Sequence, residues 1–302
     1  FSNLVTPDRN YAVWQSERSG KAHFYLYDIA EKALVRDITP GDLIACKIIR
    51  FDEEAGDIYF TANCLDGMSE PYYHGLCVAN IDGSGVRLLT PEDGEHTVSM
   101  SGKYFVDTWS RVDQPPVTVL RRLDGTFVKE LERADISGLL ALGYVIPERF
   151  TVKASDGVTD LYGILIRPAH IEPGKTYPVI DYIYGGPQMY NVPKAFTYDA
   201  LGNRELIGGL EAYAQLGFAG IILDGLGTPG RGTELHWKSS GNLHSFCGLN
   251  DHVFCAKELK EKYPFLDMDR VGIWGSSAGG GAAARAVLEF PEFYKAAVAS
   301  AG

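Results

Sequence analysis

Short apolar runs separated by polar turn residues fill the first half of the chain. They extend from residue 11 to about residue 140, and their lengths are those of β-strands. The pattern predicts an all-β region whose strands are joined by turns. The clearest runs are Tyr11–Gln15, His23–Asp28, Ile58–Ala62, Gly75–Asn80, Tyr104–Trp109 and Val117–Arg121.

One strand pattern recurs within this region. An apolar run that ends in a turn begins at Phe24, at Leu76 and at Val119, and the segments Asp37–Pro40 and Arg87–Pro91 both end in Thr-Pro. Strand sets that repeat every 40 to 50 residues or so are typical of β-propeller blades, and these indicate about three blades. Because a propeller needs at least about four blades to close, we expect the ring to be completed by chain upstream of the first residue. A small β-sandwich is the alternative.

The pattern changes after about residue 146, where strands alternate with helical stretches. Buried strands are predicted at Tyr177–Tyr184 and Gly217–Leu223, and helices at Arg204–Leu216 and Leu249–Tyr263. This alternation is typical of a mainly parallel sheet covered by helices. A length of 302 residues also favours two domains.

Composition argues against several classes of protein. The net charge is −11 and no run of Lys or Arg exceeds two residues, which argues against nucleic-acid or acidic-membrane binding. The longest nearly apolar stretch, Ile136–Pro147, is shorter than the roughly 20 residues of a membrane span. The five cysteines have no metal-ligand spacing, so we expect structural thiols, no metal and no cofactor.

The motif that carries chemistry lies near the end of the chain. A short apolar run, Val271–Trp274, leads into Gly275-Ser276-Ser277-Ala278-Gly279 and then into the helix-forming run Ala282–Glu289. In α/β-hydrolases a serine at such a strand-turn-helix junction is strained and exposed, and the flanking glycines let the strand and the helix approach. The spacing predicts Ser277 as the nucleophile and excludes Ser276.

A serine nucleophile needs donors for the oxyanion that its attack creates. The backbone N–H of the residue after the nucleophile is one such donor, and here that residue is Ala278. A second donor is expected from the loop after an earlier strand. The segment Ile183–Pro187 ends such a strand with a tyrosine and a glycine turn.

An ordered series of segments resembles the prolyl oligopeptidase family of serine peptidases, in particular its dipeptidyl-peptidase-IV-like branch. The resemblance covers most of the chain and implies a β-propeller together with an α/β-hydrolase domain. We therefore expect residues 1–145 to be the C-terminal part of a propeller domain and 146–302 the N-terminal part of a hydrolase domain. The matching segments are Phe150–Gly157, Tyr184–Pro187, Asp224–Gly232, Gly248–His252 and Asp269–Gly275.

The resemblance also implies roles for individual residues. It makes the Tyr184 phenol O–H the second oxyanion donor, beside the Ala278 N–H, whereas without it Tyr184 would be interpreted as a strand-end aromatic. The family often has Trp or His at the position of Ser276 and Tyr or Gly at that of Ala278, so packing of the turn differs here. Because Ala278 acts through its backbone, the donor is retained.

Two further polar pairs have structural interpretations that we favour. Asp224 and Arg231 lie in a glycine-rich loop and are interpreted as loop structure, with an Asp–Arg pair as one form of it. Dipeptidyl peptidases of this kind bind the substrate amine with a glutamate pair, but Glu53 and Glu54 fall in a predicted hairpin turn.

The general base and its orienting carboxylate are missing from the expected positions. In α/β-hydrolases the order is Ser, then Asp or Glu, then His, and residues 278–302 contain neither His nor Asp. The same order rule makes His236, His244 and His252 loop or helix histidines. We therefore expect a fragment that ends in the strand following the nucleophile helix and leaves an apolar edge.

These observations and the resemblance predict a serine peptidase, a dipeptidyl or related exopeptidase, that cleaves short peptides through an acyl-enzyme, with this chain alone inactive. Proline preference follows from the resemblance only. An esterase or acylaminoacyl hydrolase of the same fold, and a non-catalytic peptide-binding scaffold, are the alternatives. A homo-oligomer is left open, and the resemblance favours a secreted or periplasmic location.

Overall fold

The chain folds into two compact units in a computed structural model that describes residues 2–185, 187–196, 204–241 and 248–302. The first unit is Phe1–Ala134 with Lys194–Phe196 and Gly230–Glu234, and the second holds the remaining residues. The sequence predictions for Gly186, His244 and Cys247 lie outside the described residues. The domain division predicted after residue 145 stays a prediction.

The first unit contains three separate four-stranded antiparallel sheets, each built from consecutive strands. This is the arrangement of three propeller blades, so the propeller prediction is confirmed and the sandwich alternative is wrong. The strands are β1 (Asn3–Val5), β2 (Tyr11–Ser16), β3 (His23–Asp28), β4 (Ala33–Asp37), β5 (Ile44–Asp52), β6 (Asp57–Asn63), β7 (Gly75–Asn80), β8 (Val86–Leu88), β9 (Glu95–Ser101), β10 (Tyr104–Arg111), β11 (Gln114–Arg122) and β12 (Phe127–Arg133).

The Thr-Pro repeat has the same structural role in two blades. The Thr39 hydroxyl accepts the backbone N–H of Phe24 at 2.9 Å, and the Thr90 hydroxyl accepts that of Leu76 at 2.9 Å. Both threonines are fully buried. Each hydroxyl therefore accepts a hydrogen bond from a buried backbone N–H at the point where the chain passes from one blade to the next.

Neighbouring blades bury apolar faces against each other. One core joins residues of the first and second sheets, and a smaller one joins the second sheet to Phe105 of the third. Alternate strand positions supply these residues because successive side chains point to opposite faces. The larger core contains Val13, Phe24, Leu26, Ile38, Ala45, Ile58, Phe60, Ala62, Cys77 and Ala79.

The second unit is built on one six-stranded sheet. The elements are α1 (Ser137–Ala141), β13 (Glu148–Lys153), β14 (Asp160–Ile166), β15 (Tyr177–Tyr182), α2 (Arg204–Gln215), β16 (Ala219–Asp224), α3 (Thr233–His236), a 3-10 turn (Trp237–Ser239), α4 (Leu249–Lys262), β17 (Leu266–Ser276), α5 (Ala278–Glu289) and β18 (Tyr294–Ser300). The strand order is β13-β14-β16-β15-β17-β18, antiparallel across β13, β14 and β16 and parallel from β16 to β18.

Helices cover both faces of this sheet. Helices α4 and α5 pack on one face, where their apolar residues share a core with Val179, Ile183 and Ile273. On the other face Leu210 of α2 packs directly on Gly220, where an added Cβ would lie 3.1 Å from the Leu210 side chain. The α/β-hydrolase prediction is confirmed by this two-faced arrangement.

Strand β18 lies at the edge of the sheet, as the sequence predicts. It pairs with β17 alone among the described strands, and most of its side chains are exposed.

None of the helices in the described part of the chain has the length and apolar character needed to span a bilayer.

We predict that Thr90→Val destabilises the first unit by about 1–3 kcal/mol, because valine keeps the shape but leaves the buried Leu76 N–H without its acceptor. Urea unfolding measures the change. Thr97→Val, at an exposed position of β9 in the same unit, is the matched control and should change stability by less than about 0.5 kcal/mol. Equal effects of the two substitutions would contradict the role given to the Thr90 hydroxyl.

We also predict that the free energy of unfolding falls as pH rises above about 6.5. Burial would lower the pKa of His74 and His96, but Glu95 and Asp107 raise both pKa values above the ordinary 6.5. A raised folded-state pKa gives stability that is complete below the unfolded value and lost as pH rises through the folded one. Urea midpoints at pH 6 and pH 9 check the sign, and His96→Gln should make the slope shallower.

Candidate active site

Ser277 occupies a strained backbone position at the sharp turn between β17 and α5. Its φ of 57° and ψ of −118° are rarely adopted by residues other than glycine. Its N–H donates to the carbonyl oxygen of Ser300 at 2.9 Å, and the residue is exposed. This is the geometry expected of an α/β-hydrolase nucleophile.

The glycines of the motif are required by contact with the end of β15. A Cβ on Gly275 would lie 2.2 Å from the carbonyl oxygen of Ile183, and one on Gly279 only 2.1 Å from the same atom. A Cβ on Gly280 would lie 2.2 Å from the carbonyl oxygen of Ser300. In contrast, Gly281 has open space around it. Three of the four glycines therefore permit close backbone approach.

Tyr184 lies beside this turn. The N–H of the preceding Ile183 donates to the carbonyl oxygen of Trp274 at 3.0 Å, and a Cβ on Gly279 would come within 2.8 Å of the Tyr184 Cα. The Gln188 side-chain amide donates to the Tyr184 phenol oxygen at 2.7 Å. Because the phenol oxygen accepts that bond, its own O–H proton is directed elsewhere.

Ala278 is the first residue of α5 and follows Ser277 directly. Its N–H belongs to the first turn of a helix, where the aligned peptide dipoles favour negative charge. The structure thus brings the three predicted site residues, Ser277, Tyr184 and Ala278, to one turn. Their catalytic roles stay predictions.

A buried polar cluster beneath the turn was missed by the sequence analysis. The Nδ1 of His252 on α4 is 2.7 Å from Oδ1 of Asp181 on β15, and the Tyr294 hydroxyl donates to Oδ2 of Asp181 at 2.8 Å. All three residues are at most 4% exposed. The signal was a charged residue, Asp181, inside the otherwise apolar run Tyr177–Tyr184.

The charge state of this cluster follows from its surroundings. Burial would lower the pKa of His252, but the charge of Asp181 and its hydrogen bond raise that pKa above the ordinary 6.5. Asp251 and Asp224 raise it further. Burial, and then Asp181, hold the pKa of the Tyr294 hydroxyl well above 10. The raised pKa extends the pH range over which His252 stays protonated beside Asp181, and the Tyr294 phenol stays neutral over that range.

The other predicted polar residues have structural partners. Asp224 accepts the backbone N–H groups of Asn191 and Val192, consistent with loop structure. The Arg231 guanidinium lies 6.0 Å from the centre of the Tyr72 ring. His236, at the end of α3, donates through Nε2 to the carbonyl oxygen of Pro187 at 2.6 Å.

Two groups of acidic residues in the first unit could have suggested a binding site, and both are explained by local structure. Glu53 and Glu54 lie exposed in the turn between β5 and β6, as predicted. Elsewhere Glu92, His96 and Asp107 place ligand atoms within 4.8 Å of one another, but the Arg121 guanidinium binds both carboxylates. The Arg121 cation already pairs with both carboxylates, which makes the group a structural ion-pair network.

Comparison with known proteins gives consistent matches to both units. Residues 2–116 match the family described as the dipeptidyl peptidase IV (DPP IV) N-terminal region, and residues 208–302 match the prolyl oligopeptidase family. Dipeptidyl peptidase 8 of Homo sapiens is 30% identical over 264 residues, which are 84% of this chain and 28% of that protein. The chain thus spans less than a third of that relative's length.

Solved structures match nearly the whole chain. A Bacteroides ovatus structure, described as a candidate dipeptidyl aminopeptidase IV, superposes with a TM-score of 0.82 at 26% identity and covers 98% of this chain and 43% of its own. Porphyromonas gingivalis dipeptidyl peptidase 4 gives 0.77 at 25% identity, with coverage of 96% and 39%.

Substituting the glycines of the turn tests its geometry. We predict that Gly279→Ala lowers the free energy of unfolding by about 2 kcal/mol or more, because the new methyl group meets the Ile183 carbonyl. Gly281→Ala, two residues along the same helix, should instead stabilise the unit by about 0.5–1 kcal/mol through helix propensity. Urea unfolding gives both values, and the same sign for both substitutions would contradict the packing described.

Proposed function

We propose, on the premise that this chain belongs to the prolyl oligopeptidase family, that it supplies the nucleophile and oxyanion hole of a serine peptidase that releases dipeptides from short peptides. The observation that carries the proposal is the exposed, strained Ser277, which is followed directly by Ala278 and lies in a turn that packs against the backbone of Tyr184. The names of the similar proteins, dipeptidyl peptidases among them, support the substrate class.

The chemistry begins with attack by Ser277. Its Oγ forms a bond to the carbonyl carbon of the scissile peptide while the hydroxyl proton passes to a general base. The C–N bond then breaks, the base returns the proton to the leaving amine, and an acyl-enzyme remains. Water attacks that acyl group in the second half-reaction and restores the serine.

The oxyanion of each tetrahedral intermediate is held by two donors in this proposal. The Ala278 N–H approaches from the start of α5, and the Tyr184 O–H approaches from the end of β15. The bond from Gln188 to the Tyr184 oxygen fixes the phenol and strengthens its O–H as a donor. Donors oriented before the reaction lower the barrier because they need no reorganisation in the transition state.

The base and its orienting carboxylate come from outside these 302 residues in this proposal. Residues 278–302 hold no His or Asp, and His252 is buried against Asp181 beneath the turn. His236 uses its Nε2 on the Pro187 carbonyl. The share of the human relative that the chain spans supports this division of the machinery.

Two alternative functions, a different acyl hydrolase and a non-catalytic scaffold, differ in whether they need Ser277 and the oxyanion donors. An esterase or acylaminoacyl hydrolase would use the same nucleophile and oxyanion donors on a different acyl group. A non-catalytic peptide-binding scaffold would have no use for a strained serine, whose conformation costs about 1–3 kcal/mol. That cost favours an enzyme.

A fluorophosphonate probe tests the nucleophile in the full-length protein. We predict that Ser277→Ala abolishes labelling and hydrolysis of a Gly-Pro chromogenic dipeptide, because the probe reacts with an activated serine. Ser276→Ala is the matched control in the same motif and should keep labelling. Labelling that survives Ser277→Ala would refute the assignment.

The same assay tests the role of Tyr184 and the expected inactivity of the isolated chain. Tyr184→Phe should lower kcat about 100- to 1,000-fold, the usual cost of one oxyanion donor. The 302-residue chain alone should be at least about 10,000-fold less active, since the base is absent. If the full-length protein hydrolyses an acyl ester or an acylaminoacyl substrate but neither the Gly-Pro nor the Ala-Ala dipeptide, the esterase or acylaminoacyl hydrolase alternative is favoured. If the probe does not label the full-length protein at all, the non-catalytic scaffold is favoured.

A further inference from the structure

The cluster of Asp181, His252 and Tyr294 takes no part in the proposed chemistry, yet it joins the elements that carry the site. Asp181 is on β15, three residues before Tyr184. Tyr294 begins β18, the strand whose Ser300 carbonyl accepts the Ser277 N–H. His252 is on α4 and reaches Asp181 from the face of the sheet on which α4 and α5 pack.

The path from Asp181 to the turn is short and rigid. Asp181 pairs with Ile273 of β17, and the next residue along, Tyr182, pairs with Trp274. Ile183 then places its carbonyl oxygen against Gly275 and Gly279. A shift of β15 at Asp181 would therefore move Ile183 and Tyr184 relative to Ser277.

We propose that His252 is a positioning residue, which holds the end of β15 and so Tyr184 against the nucleophile turn through its ion pair with Asp181. The inference rests on the proposed function for the meaning of Tyr184, but the mechanical coupling between His252 and the turn is testable without activity. It predicts that deprotonation of His252 loosens the turn.

The charges around His252 explain the direction of the effect. Asp181 on β15, Asp224 on β16 and Asp251 on α4 are all negative groups that act on the ring, and Cys255 and Tyr294 are neutral neighbours whose pKa values are raised. Imidazolium compensates the Asp181 carboxylate inside the protein. Once His252 loses its proton, a buried negative charge is held by neutral hydrogen bonds alone, which is a costly state.

A second buried pair in the chain provides the matched control. His96 and Asp107 are also 2.7 Å apart and fully buried, on the third sheet of the first unit. Asp107 additionally binds Arg121, so its charge stays compensated when His96 is neutral. His96→Gln removes the same chemical group as His252→Gln from a place unconnected to Ser277 by any of these contacts.

Hydrogen–deuterium exchange of the full-length protein is the primary experiment. After correction for the intrinsic pH dependence, the amides of 182–185 and 275–281 should exchange about tenfold faster at pH 9 than at pH 6. His252→Gln should show the faster rate at both pH values, and His96→Gln should behave as the unmodified protein does. Tyr294→Phe, which removes one bond to Asp181, should give an intermediate rate if His252→Gln fails to fold.

The outcomes separate this inference from the proposed function. Exchange at these amides that is independent of pH and of His252→Gln overturns the inference, whatever the enzyme does. In the active protein the rate of fluorophosphonate labelling should fall on the alkaline side, and His252→Gln should lack that fall while His96→Gln keeps it. An alkaline fall that persists in His252→Gln also overturns the inference, whereas absent labelling with pH-dependent exchange refutes the proposed function alone.

Discussion

The candidate site depends on one close approach of backbone to backbone. The carbonyl oxygen of Ile183 lies where a side chain on Gly275 or Gly279 would have to be, so the end of β15 lies directly against the turn between β17 and α5. Only glycine allows this contact. The contact in turn fixes the position of the Ile183 backbone, and so the position of Tyr184, the next residue, relative to the turn. The strained conformation of Ser277 is held in place by the same packing, since a turn with more room could relax.

The sheet also contains a charge where its neighbours are apolar. A buried carboxylate is tolerated only if its oxygens are paired, and Asp181 has one oxygen on His252 and the other on Tyr294. These partners come from elements far apart in the chain, so the cluster forms only when α4 and β18 have both packed. The buried Asp181 therefore favours only those arrangements in which both partners are in place, because each missing partner leaves the carboxylate charge uncompensated.

The sequence predicted the strands, the repeat and the nucleophile turn because each is encoded locally. The Thr-Pro repeat marked the blades, and glycine spacing around Ser277 marked the turn. Helix α5 begins at Ala278 rather than at the predicted Ala282, because packing against β15 overrides the poor helix propensity of its glycines. The partners of Asp181 could not be predicted, since they are 71 and 113 residues away and no local pattern joins them.

The bond from the Ser277 N–H to the Ser300 carbonyl links the nucleophile to a strand that is made after it. During synthesis the ribosome releases the turn first, and the acceptor emerges only once the chain has passed α5. The strained serine therefore lacks one of its fixed contacts while the nascent chain is still short. The turn at Ser277 is therefore fully held only after β18 has been made and has paired with β17.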